Sequence, residues 1–125
     1  MDLSIFDYHE EREQLLQNYR QRFGISRKCL AIYEMEKYLN SLNPPKKEDG
    51  SCDVLSTDTM NSLFASCSNP NSKGSRLSLI ILGAAMRCTR AQVNLMLQHA
   101  NCGQLYPRRT DAAEQFWCCI IEQNG

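Results

Sequence analysis

The stretch whose reading decides the fold is RLSLIILGAAMRCTRAQVNLMLQHA, Arg76–Ala100. Its first half is apolar almost all round through Ile80, Ile81 and Leu82, the pattern of a helix covered on every side. The apolar run from Leu77 to Met86 is too short to span a bilayer, so its destination is a protein core. Thr89-Arg90-Ala91-Gln92 then reads as a capping box. The Thr hydroxyl and the Gln side chain satisfy backbone N–H groups that a first helical turn leaves unpaired. Val93, Met96, Leu97 and Ala100 follow at helical spacing. Asn101-Cys102-Gly103 ends that helix, with Gly103 suited to a left-handed cap.

Outward from this pair, the rest of the chain is also helical in pattern. Thr110 or Asp111 caps a last helix with Ala113, Phe116, Trp117, Ile120 and Ile121 as its stripe. Upstream, Gly74 or Ser75 opens the central helix. Before it, Ser56 caps a short helix on which Met60, Leu63, Phe64 and Cys67 share one face. Ile32, Met35, Leu39 and Leu42 mark a helix that Ser26 is expected to cap. Residues 5–22 form the first helix, with Leu15, Leu16, Tyr19 and Phe23 as its apolar edge. Three polar, Gly- or Pro-containing breaks separate these segments: Asn43–Ser51, Ser68–Gly74 and Cys102–Arg109. Nothing alternates with period two, so no sheet is expected. The reading is all-α: a compact bundle of about five to six short helices in one domain. Residues 1–42 are N-terminal helices, 43–55 a Pro-Pro linker, and 56–125 the remaining core and a C-terminal extension.

Length and composition agree with one globular unit. The 125 residues are 42% hydrophobic and 22% charged, with a formal net charge of zero, and a chain of this length can bury a core without metal or disulfide. Charge is uneven. Residues 1–72 hold eight Lys/Arg against eleven Asp/Glu, and residues 73–125 hold six against three. The basic half can face nucleic acid or the acidic half of its own chain. The seven cysteines form no CxxC pair, and no apolar leader follows Met1. Both features point to a cytoplasmic protein with reduced, mostly buried thiols.

Catalytic and metal chemistry find little support. His99 and Cys102 are three apart, but no further ligands complete a zinc set. Adjacent residues on a helix diverge by about 100°, so Cys118 and Cys119 are not expected to bond. One should join the core and the other its edge. His9 and His99 lie in no nucleophile motif, and Gly74 and Gly83 stand alone rather than in a phosphate loop. No enzyme activity, cofactor, metal or membrane contact is expected.

Recognition surfaces remain. The helix from Ser56 to Cys67 presents Thr57, Asp58, Asn61, Ser62 and Ala65 outward. Thr57, Asn61, Ser62 and Ala65 are candidates to face base edges in a major groove. Asn69, Asn71, Ser72, Lys73 and Arg76 are candidates to contact phosphates. Tyr106, Arg108 and Arg109, in the Leu-Tyr-Pro-Arg-Arg loop, have the residue types enriched at protein interfaces.

Four segments carry a family resemblance: Met60-Asn61-Ser62-Leu63-Phe64, the Asn69-Pro70 turn, Arg76–Met86 and Arg87–Leu97. In order they are similar to the recognition helix, exit turn, core helix and following helix of the Xre/Cro (lambda-repressor-like) helix-turn-helix family. Leu105-Tyr106-Pro107 through Asp111-Ala112-Ala113 resembles a C-terminal extension of some bacterial members. The resemblance covers about half the chain. It implies a lambda-repressor-like core and a DNA-binding transcriptional regulator, with double-stranded DNA as partner. The alternative is a protein-interaction module on the same scaffold that no longer binds DNA. Phe116 and Trp117 read either as core or as the seam of a homodimer.

Overall fold

The computed structural model describes residues 8–44, 46, 48–50, 55–65, 76–99, 105 and 112–124. The described residues form six helices and no strand: α1 (Tyr8–Arg22), α2 (Lys28–Ser41), α3 (Thr57–Ala65), α4 (Arg76–Ala85), α5 (Arg90–His99) and α6 (Ala112–Gln123). The all-helical bundle expected from the periodicity is the fold observed.

Helix α4 is the centre, as its sequence predicts. Leu79 through Ala85 are buried without interruption. It packs on α5 and α6, while α2 bridges α4 to α1 and α3. Gly83 is where α4 and α5 approach closest: a Cβ there would lie 2.5 Å from Cγ2 of Val93. The core collects the predicted stripes. Leu16, Ile32, Met35, Leu39, Met60, Phe64, Val93, Met96, Trp117 and Ile121 are all essentially inaccessible. Arg12 joins the buried face of α1 one turn before Leu15 and Leu16. At α6, Trp117 is core, whereas Phe116 is half-buried and meets it edge-on with ring centroids 4.9 Å apart.

Helix ends show how local chemistry sets the boundaries. The capping box at α5 forms as read: Gln92 Oε1 accepts from the Thr89 N–H at 2.9 Å, and Thr89 Oγ1 accepts from the Gln92 N–H at 3.3 Å. Ser56 caps α3 by accepting the Thr59 N–H at 3.1 Å, a bond worth about 1 kcal/mol. Helix α2 differs from expectation. Its N-cap is Arg27, which makes no side-chain capping bond. The carbonyl of the anticipated cap, Ser26, instead accepts a hydrogen bond from the Arg20 guanidinium. This bond closes the α1–α2 elbow from the other side.

Two helices end in the same way. After α1, Ile25 N–H donates to Arg20 O at 2.8 Å and Gly24 N–H to Gln21 O at 3.4 Å. After α4, Cys88 N–H donates to Gly83 O at 2.9 Å and Arg87 N–H to Ala84 O at 3.1 Å. Both are Schellman caps, which place one residue in the left-handed region. At α1 that residue is Gly24, with φ of 67°. At α4 it is Arg87, with φ of 56°.

Candidate interaction site

Helix α3 is the surface the sequence singles out. Asp58, Asn61 and Ser62 are exposed on it, and of Ala65 only the backbone is described. Thr57 is half-buried, because its backbone N–H donates to Glu36 Oε2 at 3.1 Å and its hydroxyl donates to the same oxygen. Glu36 lies on α2, two turns into that helix, and places a carboxylate on the α3 N-terminus. The positive end of the helix dipole and the unpaired first-turn N–H groups favour an anion there. The chain therefore supplies its own. The sequence reading missed this residue because Glu36 and Thr57 are linked only across the 43–55 segment. That segment reads as a linker with no helix of its own, yet α2 reaches across it to brace α3.

Arg76, a phosphate candidate, opens α4 and is committed to Glu114 of α6. Its Nε and Nη2 lie 2.8 and 2.7 Å from Glu114 Oε1. Asn69, Asn71, Ser72 and Lys73 lie outside the described residues, as do Tyr106, Arg108, Arg109 and the Gly103 cap. Leu105 is described: it is buried, and its N–H donates to Asn94 Oδ1 at 2.8 Å. Among the described residues, then, the outward face of α3 carries one carboxylate and no cation.

Exposed apolar surface lies elsewhere. Of the four large hydrophobic side chains left exposed among the described residues, Phe23, Leu30 and Tyr33 sit at the α1–α2 elbow and Leu95 on α5. Leu30 and Tyr33 are half accessible or more, at 49% and 56%. Cations accompany them: Arg22, Arg27 and Lys37 are all exposed. Beside this patch runs a groove of about 650 Å³, bounded by the end of α1, the side of α2 and the α4–α5 turn. Tyr19, Phe23, Leu30, Lys37, Tyr38 and Arg87 form much of its wall.

Arg87 is the group on which this groove is organised. Its guanidinium lies 4.2 Å from the Tyr38 ring centroid and 4.7 Å from that of Phe23. Each such cation–π contact is worth about 0.5–1 kcal/mol or more when water is excluded. Nε is sealed from solvent and without a hydrogen-bond partner. No carboxylate among the described residues lies within ion-pair distance of it. Phe23 in turn packs against Tyr19 in a tilted arrangement, ring centroids 4.7 Å apart, with Arg22 5.3 Å from its centroid. Burial raises the Tyr19 phenol above its ordinary pKa, with Arg87 acting in the opposite sense. The phenol is therefore a neutral donor at physiological pH.

The four described cysteines split by burial. Cys118 is buried and Cys119 exposed; Cys88 is buried and Cys29 exposed; all four are free thiols. Desolvation pushes the Cys88 thiol up to about 12 and also raises that of Cys118. Neither is primed as a nucleophile. No group of three or more metal-ligating side chains exists among the described residues, and none of their helices is long and apolar enough to cross a membrane. Set beside known proteins, the chain matches no family model, no curated protein and no solved structure.

Proposed function

We propose that this chain is a non-enzymatic protein-interaction module on a helix-turn-helix-like scaffold, and that its working surface is the α1–α2 elbow rather than the outward face of α3. One observation carries this reading. Exposed apolar side chains and cations coincide at Phe23, Leu30, Tyr33, Arg22, Arg27 and Lys37. The α3 face has neither, and its N-terminus is occupied by Glu36. Protein contacts are built on aromatic and Arg anchors, whereas duplex binding is dominated by cations placed against phosphates.

The DNA-binding reading keeps one supporting observation, the packing of α2 against α3 in a two-helix pair. The two readings separate in a paired measurement. The protein is compared with a Leu30→Ser/Tyr33→Ser variant and an Asn61→Ala/Ser62→Ala variant in quantitative co-purification and in anisotropy with labelled duplex DNA. The interaction reading expects a defined partner that the elbow substitutions release and the α3 substitutions do not. Duplex binding that weakens steeply with salt and is lost in the α3 variant would replace it with the DNA reading.

A further inference from the structure

We propose that the groove at Arg87 is a seat for an acidic peptide segment of a partner protein, with one carboxylate on the guanidinium and an adjacent apolar side chain against Leu30 and Phe23. This rests on the interaction reading above and names the chemistry of the partner.

Three features of the site converge on that ligand. The first is the state of Arg87. The Arg87 guanidinium carbon lies 4.7 Å from the Phe23 ring centroid and 4.2 Å from that of Tyr38, so two aromatic rings hold the cation at the groove wall. A planar guanidinium with no carboxylate among the described residues within ion-pair distance is matched to a ligand carboxylate, which can accept two parallel N–H bonds. The second is charge. The groove wall carries Arg87 and Lys37 against one carboxylate, Glu34, and the Arg22 guanidinium lies 5.3 Å from the Phe23 ring centroid. The wall is therefore net positive in a molecule whose net charge is zero. The third is backbone conformation. Arg87 holds a left-handed φ of 56° in the same cap for which α1 uses Gly24. Glycine takes that conformation without strain, so the arginine is present against a local preference, and its side chain is what the position gains.

The surroundings favour a peptide over a free small acid. The groove is walled by exposed as well as buried residues, and beyond its lining the exposed Tyr33 lies one helical turn from Leu30 on α2. An extended segment can follow this stripe, while a small acid would leave Leu30 and Tyr33 in water. Tyr19, neutral at physiological pH, and the Tyr38 side chain complete a wall in which aromatic rings flank the cation.

The test is anisotropy of a fluorescein-labelled hexapeptide of alternating Glu and Leu against the full chain. Its Gln–Leu counterpart, phenylacetate and inorganic phosphate serve as comparison probes. The acidic peptide should bind at least tenfold more tightly than the Gln–Leu peptide and weaken as salt screens the charges. Phenylacetate and phosphate should compete only at far higher concentration. Arg87→Gly, compatible with the local φ, should keep the helical spectrum and lose at least tenfold in affinity. Arg87→Lys, which keeps the charge without the planar fork, should lose severalfold. The exposed Lys37→Glu should weaken binding while leaving the thermal midpoint in place. Equal binding of the acidic and amide peptides, or an unchanged affinity in Arg87→Gly and Arg87→Lys, overturns the proposal. So does phenylacetate or phosphate binding as tightly as the peptide. If the acidic peptide fails while a Leu30/Tyr33-dependent partner is still captured, this proposal falls and the interaction reading stands. If partner capture ignores the elbow while the peptide still binds through Arg87, the interaction reading falls instead.

Discussion

Replacing Arg76 with Met separates a structural cation from a phosphate contact. Arg76 sits at the first position of α4, where the helix dipole disfavours positive charge, so its placement needs a partner. Glu114 is that partner: it lies in the first turn of α6 and receives both Nε and Nη2 on one oxygen. The two side chains are 18% and 5% exposed. Removing one member of a fully buried pair costs about 3–5 kcal/mol, because the other charge is stranded. The residual exposure of Arg76 and the further contacts of both residues reduce this, and we expect about 2 kcal/mol. For a chain of 125 residues that corresponds to a fall of roughly 6–10 °C in thermal midpoint. Glu114→Gln should cost a similar amount. The double substitution should be less destabilised than the sum of the two, with a coupling of about 1–2 kcal/mol. Urea unfolding followed by far-UV circular dichroism gives all three values. An Arg76→Met variant with unchanged stability and weakened duplex binding would refute the structural assignment and restore Arg76 to a phosphate-facing role.

Other perturbations follow from the same geometry. Gly83→Ala should destabilise by about 1–2 kcal/mol: overpacking against Val93 Cγ2, 2.5 Å from the new Cβ, outweighs the gain of about 1 kcal/mol in helix propensity. Val93→Ala in the same chain should recover part of that loss, and calorimetry on the four proteins decides it. Ser56→Ala removes the α3 cap and should cost about 1 kcal/mol in urea unfolding. Burial holds the Cys88 thiol near 12 against an ordinary 9.0, so the protonated form belongs to the fold. Stability on this account is complete below pH 9 and declines by roughly a kcal/mol per pH unit as pH rises toward 12. Iodoacetamide mapping at neutral pH should accordingly modify Cys29 and Cys119 well before Cys88.

The helices were legible because their signals are local. The Thr89–Gln92 box, the Ser56 cap and the stripes through Met35–Leu39 and Trp117–Ile121 each lie within a turn or two of the residues they organise. Ser26 is not the cap because α2 starts one residue later, with Arg27 at its N-cap, and the Ser26 carbonyl accepts from Arg20 of the preceding helix. The groove at Arg87 was illegible for the same reason on a larger scale. Phe23, Tyr38 and Arg87 meet only after α1, α2 and α4 have packed, and no spacing in the chain announces it. One clue was available. Between the apolar end of α4 and the cap at Thr89 there is no glycine, and so short a connection needs one residue at positive φ. Arg87 takes it.

Glu36 joins the two halves of the functional argument. In a helix-turn-helix grammar, the N-terminus of α3 is the point at which backbone N–H groups and the helix dipole would meet a phosphate. Here the Glu36 carboxylate already holds the Thr57 N–H and hydroxyl, and Asp58 stands exposed beside it. This α2–α3 contact thus fixes a negative charge at the place where a polyanion would dock. A phosphate brought there would meet like charge in the partly desolvated setting where repulsion is least screened. The elbow has the opposite character. It carries exposed Arg22, Arg27 and Lys37, and the Arg87 guanidinium lies 4.7 and 4.2 Å from the Phe23 and Tyr38 ring centroids, with no carboxylate among the described residues within ion-pair distance of it. On the proposed reading the chain disfavours an anion at α3 and takes one at Arg87. That polarity, more than the helical arrangement, is what favours the proposed interaction module over a DNA reader.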